Sequence, residues 1–172
     1  MTGAELPSGK RRALEKYMRQ ECCKRLLPEE WDQKEIVWRD KPFYRDKYWS
    51  FLHVPFDFGK KIVRGLETIK EAGLISEQMV LSKNDGLWGG EMLIPVSQKT
   101  DRFQTELVTG RFLTRLFEGH YGDMRRWIKE TKKYAAEKGF EAKEFIFFYA
   151  TCPKCAKKYG DEVQVVVFAR VE

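Results

Sequence analysis

The chain has 172 residues, with 32 Lys or Arg against 26 Asp or Glu, a formal charge of +6 and a hydrophobic fraction of 42%. This balance excludes a disordered, collagen-like or membrane-embedded chain, and the length predicts one domain that needs no disulfide or metal to hold its core. Aromatic residues are abundant (12 Phe, 7 Tyr and 5 Trp), so the question is whether all of them are core or some line a pocket.

Residues 1–9, with Gly3, Pro7 and Gly9, predict a flexible leader. The start MTGAELPSGKRRALEK has no apolar signal region and no later stretch is long and apolar enough to span a bilayer, so a cytoplasmic location with reduced thiols is expected. From Lys10 to Leu27 the residues Leu14, Tyr17, Met18, Cys22 and Leu26 recur at helical spacing, and Pro28 is expected to stop that helix. Residues 28–46 then form a connector whose Trp31 and Trp38 pack on the main domain. The expected division is 1–35 for the leader and N-terminal helix, and 36–172 for a ligand-binding domain.

KYWSFLHVPF (47–56) has strand composition. Asp57 is placed to cap a helix that carries Phe58, Ile62, Leu66 and Ile69 on one face and ends at Gly73. MVLSK, an Asn84-Asp85-Gly86 turn and LWGGEMLIPVS predict a hairpin. The order then recurs. TGRFLTRLFEG (109–119) is a strand, and a helix from about Tyr121 buries Met124, Trp127, Ile128, Thr131 and Ala135 and stops at Gly139. EFIFFYAT (144–151) and DEVQVVVFARV (161–171) are two more strands. Two βαββ units predict an α+β fold: a sheet with the helices on one side and a ligand groove at the pseudo-two-fold seam. Residues 125–158 hold ten Lys or Arg against four acids, which equals the whole net charge. Much of that is the outer face of the second helix, so no direct nucleic-acid binding is expected.

The most unusual segment is Leu87-Trp88-Gly89-Gly90-Glu91. Two glycines inside a strand imply a bulge or a closely approaching ligand. A bulge there would turn Trp88 and Glu91 to the same side, giving a desolvated carboxylate beside an aromatic plane. Glu91 would then be a general base or a counter-ion; the alternative is a solvated outer face. His53 among apolar neighbours reads as core, and His120 as a corner residue. Cys152-Pro153-Lys154-Cys155 lies between two predicted strands. The segment fits a loop, a redox pair or half a zinc site; Cys22-Cys23 does not supply a second CxxC spacing, and the loop reading is favoured, with no metal and no cofactor expected.

The run LWGGEMLIPV, the GRFLTRLFEGHYGDMRRWIKETKKYAAEKG unit and FIFFYATCPKCAKKYG together resemble the GyrI-like small-molecule-binding proteins (SOUL/GyrI-type fold) over about residues 36–172. Within them, the chain is similar to a bacterial subgroup with a C-terminal TCPKCAKKYG stretch and to cyclopropanoid cyclopropyl hydrolases. The resemblance implies a groove between two βαββ halves that takes a planar aromatic or amphipathic molecule. It also implies hydrolytic opening of a strained cyclopropane inside an aromatic cage, or binding without turnover. On that reading Glu91 orients and deprotonates water, Tyr149 (with Tyr121 second) donates to the developing phenolate, and Trp88, Phe58, Trp127 and Phe147 form the cage.

Overall fold

In the computed structural model, which describes residues 23–51, 54–55, 57–86 and 88–172, the longest run of alternating side chains becomes a 17-residue strand, β1 (Glu35–Phe51). The expected connector is therefore mostly strand. β2 (Val54–Pro55) adds a short rung to its end. The remaining strands are β3 (Leu81–Gly86), β4 (Gly89–Pro95), β5 (Thr105–Gly119), β6 (Glu144–Tyr149) and β7 (Val163–Arg170). The described helices are α1 (Pro28–Trp31), α2 (Phe58–Glu71), α3 (Met124–Glu137, entered through a 3₁₀ turn at Tyr121–Asp123) and α4 (Pro153–Lys158).

β1 pairs with β4, β4 with β3, β3 with β6, β6 with β7, β7 with β5, and β5 with β1, every pair antiparallel. The sheet expected to leave a groove open is instead a closed six-stranded barrel. Closure depends on the length of β1. Its first half pairs with β5, its second half with β4, and a register shift between Trp38 and Lys41 bends it from one to the other. Asp40 sits in that shift at φ 48°, held by Thr109, whose Oγ1 accepts the Asp40 N–H at 2.8 Å and donates to Oδ1 at 2.9 Å.

Alternation along each strand sorts the side chains into two populations. Inside the barrel, Trp38, Phe43, Leu81, Leu93, Phe112, Ile146, Phe148 and Phe168 form one packed cluster. The Trp38 ring lies 4.6 Å from Phe112, 5.2 Å from Phe43 and 5.5 Å from Phe168. Much of the aromatic surplus is spent here, on filling a barrel. Outside it, α2 packs Ile69 on Tyr44, Met92 and Ile94, and α3 packs Trp127 on Phe117, Val165 and Val167.

Local signals held for both long helices and failed at some ends. Gly73 and Gly139 follow α2 and α3 with φ 69° and 82°, as helix-ending glycines do. Pro28 starts α1 rather than stopping a helix, because a first-turn proline loses no hydrogen bond. The expected Lys10–Leu27 helix lies mostly outside the described residues; 23–27, which are described, are not helical. Asp57 stands at the N-cap of α2, but its carboxylate accepts the Trp49 N–H at 3.0 Å instead of capping. Asn84–Gly86 belongs to β3, bulged against β4, and the chain reverses beyond Gly86.

Candidate functional site

The Gly89-Gly90 bulge expected to reorient Glu91 is absent: Gly89, Gly90 and Glu91 pair in regular register with Trp49, Tyr48 and Lys47. The register shift lies across the hairpin, between Lys83 and Gly86. Gly89 is required instead by its own neighbour strand, since at φ 144° an added Cβ would lie 2.2 Å from the Tyr48 carbonyl oxygen. Glu91 therefore alternates with Leu93 and faces the barrel interior, as Lys83 does beside Leu81.

Four side chains converge there. Arg45 donates to Glu91, and its Nε lies 3.2 Å from Glu106. Lys83 donates to Glu106 and lies 3.5 Å from Glu91. The two cations and two anions form a neutral ring across the barrel, with side chains 13–27% exposed. Burial alone would raise the Glu91 carboxyl. The Arg45 hydrogen bond and the charges of Arg45 and Lys83 outweigh it and hold the group below its ordinary value. Glu91 is thus a fixed anion, poorly suited to take a proton.

The aromatic candidates gather on the other face of the wall. Tyr149 is the hub: its ring lies 5.9 Å from Tyr121, 6.3 Å from Phe147 and 6.4 Å from Phe58. Phe58 in turn meets Tyr48 at 4.6 Å, and the Tyr48 hydroxyl is 2.7 Å from Ser82 Oγ. Phe147, Tyr149 and Trp127 share one apolar cluster, in which Trp127 is stacked on Phe117 at 5.5 Å and is 1% exposed. Tyr121, 49% exposed, is the member open to solvent. Packing around its hydroxyl nonetheless pushes the phenol above its ordinary value, so it is a proton donor throughout neutral pH. The structure thus brings together Phe58, Tyr121, Trp127, Phe147 and Tyr149. It does not join Glu91 to them, nor Trp88, which is 67% exposed in the β3–β4 turn, where its carbonyl accepts the Ser50 N–H.

The same end of β6 leads into the CPKC segment. It is not a plain loop: Cys152 is the N-cap of α4 and Cys155 lies in its first turn. Cys23 joins them, its sulfur accepting the Cys152 N–H at 3.2 Å. Burial is the main influence on the Cys23 thiol and pushes it well above its ordinary value. Tyr121 is close enough to feel Cys152 and Cys23 electrostatically. Arg45, Lys83, Glu106 and Cys23 were not foreseen as site residues. The Lys83–Glu91 pairing depends on the register shift in the hairpin, the Lys83–Glu106 contact on barrel closure, and the Cys23 contact on the path of the chain ahead of α1. His120 holds the corner as expected, its N–H 3.4 Å from Asp123 Oδ2; His53 lies outside the described residues.

No helix among the described residues is long and apolar enough to cross a membrane. No curated protein matches the chain. The model of one family, described as bacterial hydrolase, matches residues 14–171, which takes in much of the expected N-terminal helix segment as well as the whole barrel. With nearly its entire length covered by that match, the chain belongs to the bacterial hydrolase family.

Proposed function

We propose that the protein is a hydrolase of planar aromatic small molecules, with strained cyclopropanoids as the substrate class, and that its substrate lies against the Tyr121–Tyr149 surface. The observation that carries this reading is the Tyr149 hub, a joined set of rings ending in a half-exposed tyrosine whose hydroxyl stays protonated. Rings of this kind hold a flat ligand by offset stacking and exclude water from it. In the reaction, water oxygen bonds to a cyclopropane carbon as the ring C–C bond breaks, and the electron pair moves into the dienone to give a phenolate. Tyr121 donates a hydrogen bond to that oxygen, and the proton lost by water ends on it as phenol. In this reading Glu91 belongs to the ion ring and does not activate the water.

The position of Glu91, on the other face of the wall from the rings, favours a second reading: the same surface sequesters aromatic ligands without turnover. Incubation with a cyclopropanoid alkylator, followed by the ultraviolet spectrum of the ring-opened phenol, separates the two. Acceleration over buffer that falls tenfold or more in Tyr121→Phe, with Glu91→Gln retaining most of it, supports hydrolysis on this face. Tryptophan quenching with only the background rate identifies a binding protein.

A further inference from the structure

The most concentrated chemistry outside the aromatic surface is at the thiol corner. Cys23, from the strap ahead of α1, and Cys152 and Cys155, from the β6–β7 connection, bring three sulfurs within 4.8 Å of one another although 129 residues separate Cys23 from Cys152. All three are thiols. Tetrahedral zinc with Zn–S bonds of about 2.3 Å sets sulfurs about 3.8 Å apart, inside the 4.8 Å within which these three sulfurs lie.

We propose that Cys23, Cys152 and Cys155 bind a zinc ion as thiolates. Four features support it. Cysteine sulfur is a soft donor, and a triad with no carboxylate or imidazole selects zinc over magnesium, calcium or manganese. The Cys152 N–H points at Cys23 Sγ, the arrangement that holds and neutralises a metal-bound thiolate. The surroundings are cationic in sequence: three thiolates and Zn²⁺ leave one negative charge, and Lys24, Lys157 and Lys158 lie within three residues of the ligands. Finally, the strap is already positioned, because the Gln164 side chain bonds both the N–H (2.8 Å) and the carbonyl (3.2 Å) of Leu26, and Arg25 pairs with Glu118 at 2.7 Å. A metal here closes an otherwise non-local link between the strap and the barrel end. Three thiol protons leave on binding, so affinity falls as pH falls.

The competing chemistry for CxxC is a Cys152–Cys155 disulfide, and the site is independent of the substrate reading. The test is metal analysis of the full chain purified without chelator, with cobalt titration of the metal-depleted protein. One zinc per chain is expected, and cobalt should give thiolate charge-transfer bands in the near ultraviolet with intense tetrahedral bands in the visible. Cys23→Ser should lose at least nine-tenths of the zinc and weaken the charge-transfer band while the far-ultraviolet circular dichroism is retained. The cobalt spectrum of the wild type needs no variant and stands even if Cys23→Ser does not fold. Absence of zinc together with absence of cobalt bands overturns the proposal, as does a Cys152–Cys155 disulfide in the intact mass of the native protein. Because neither readout uses substrate, an inactive enzyme that holds zinc refutes only the hydrolytic reading.

Discussion

Lys83 on β3 bonds Glu106 on β5, although those two strands share no ladder. The pair crosses the barrel, and Arg45 and Glu91 complete the ring from β1 and β4. Removing one charge from such a ring leaves its partners desolvated without compensation. Glu91→Gln should therefore destabilise the protein by about 1–3 kcal/mol at neutral pH. The Glu91 carboxyl is held below its ordinary value in the folded state, so its contribution is complete above that ordinary value and disappears as pH falls through the folded one. Urea melts of the two proteins should differ at neutral pH, and the gap should close as pH falls from the ordinary carboxylate range through the lower folded value of Glu91. A gap that persists in acid would assign the loss to packing rather than charge.

Gly89 and Gly73 both have positive φ, at 144° and 69°, but only Gly89 has a neighbour in the way. Gly73→Ala meets nothing within 4 Å and should cost about 1 kcal/mol, the usual penalty for a side chain in left-handed backbone. Gly89→Ala must push Tyr48's carbonyl away and disturb the β1–β4 ladder, for about 3 kcal/mol or more. Thermal denaturation of both variants checks the order. Equal losses would mean that β1 yields to the added methyl.

Two tryptophans that the resemblance offers as cage members, Trp127 also lying on the apolar face of its helix, separate by burial. Trp127, 1% exposed and stacked on Phe117, is part of the contact that seats α3 on the barrel, so Trp127→Ala should cost about 3–5 kcal/mol. Trp88, 67% exposed, should change stability by less than about 0.5 kcal/mol when replaced by alanine. Chemical denaturation of the two variants gives the comparison, and a large loss for Trp88→Ala would reveal packing of the turn on the barrel.

What could be read ahead of the structure was local. The apolar stripe of Phe58, Ile62 and Ile69, with Leu66 turned out at the stripe's edge and 41% exposed, and that of Trp127, Thr131 and Ala135 specify helices because their period matches 3.6 residues. The runs EFIFFY and VQVVVFAR specify strands by composition alone. Strand identity does not specify closure. Whether β1 meets β5 depends on the bend at Asp40, and Asp, though one of the few non-glycine types that visit φ near 48°, does so too seldom to mark the bend in advance. The site inherits that division. Phe147 and Tyr149 share a face through simple alternation, and that face brings Tyr149 beside Tyr121. Glu91 required the phase of one hairpin, and the bulge fell on β3 instead of on the glycines. Cys23 and Cys152, 129 residues apart, became neighbours only through the path of the strap.

That path rests on Gln164, 3% exposed, whose amide pairs with both backbone groups of Leu26 and donates to Glu118 at 2.7 Å. A side-chain amide used this way substitutes for a missing strand, satisfying one buried donor and one acceptor together. Gln164→Leu keeps the volume and strands the Leu26 N–H and carbonyl, for about 1–3 kcal/mol. Gln164→Glu retains an acceptor for the Leu26 N–H but loses the donor and sets a second carboxylate against Glu118. It should be as damaging at neutral pH and partly recover in acid as those carboxyls protonate. Hydrogen exchange at the Leu26 amide is the specific readout, since it should quicken in both variants more than exchange at the β7 amides. Unchanged protection at Leu26 would show that Arg25 and Cys23 hold the strap without Gln164.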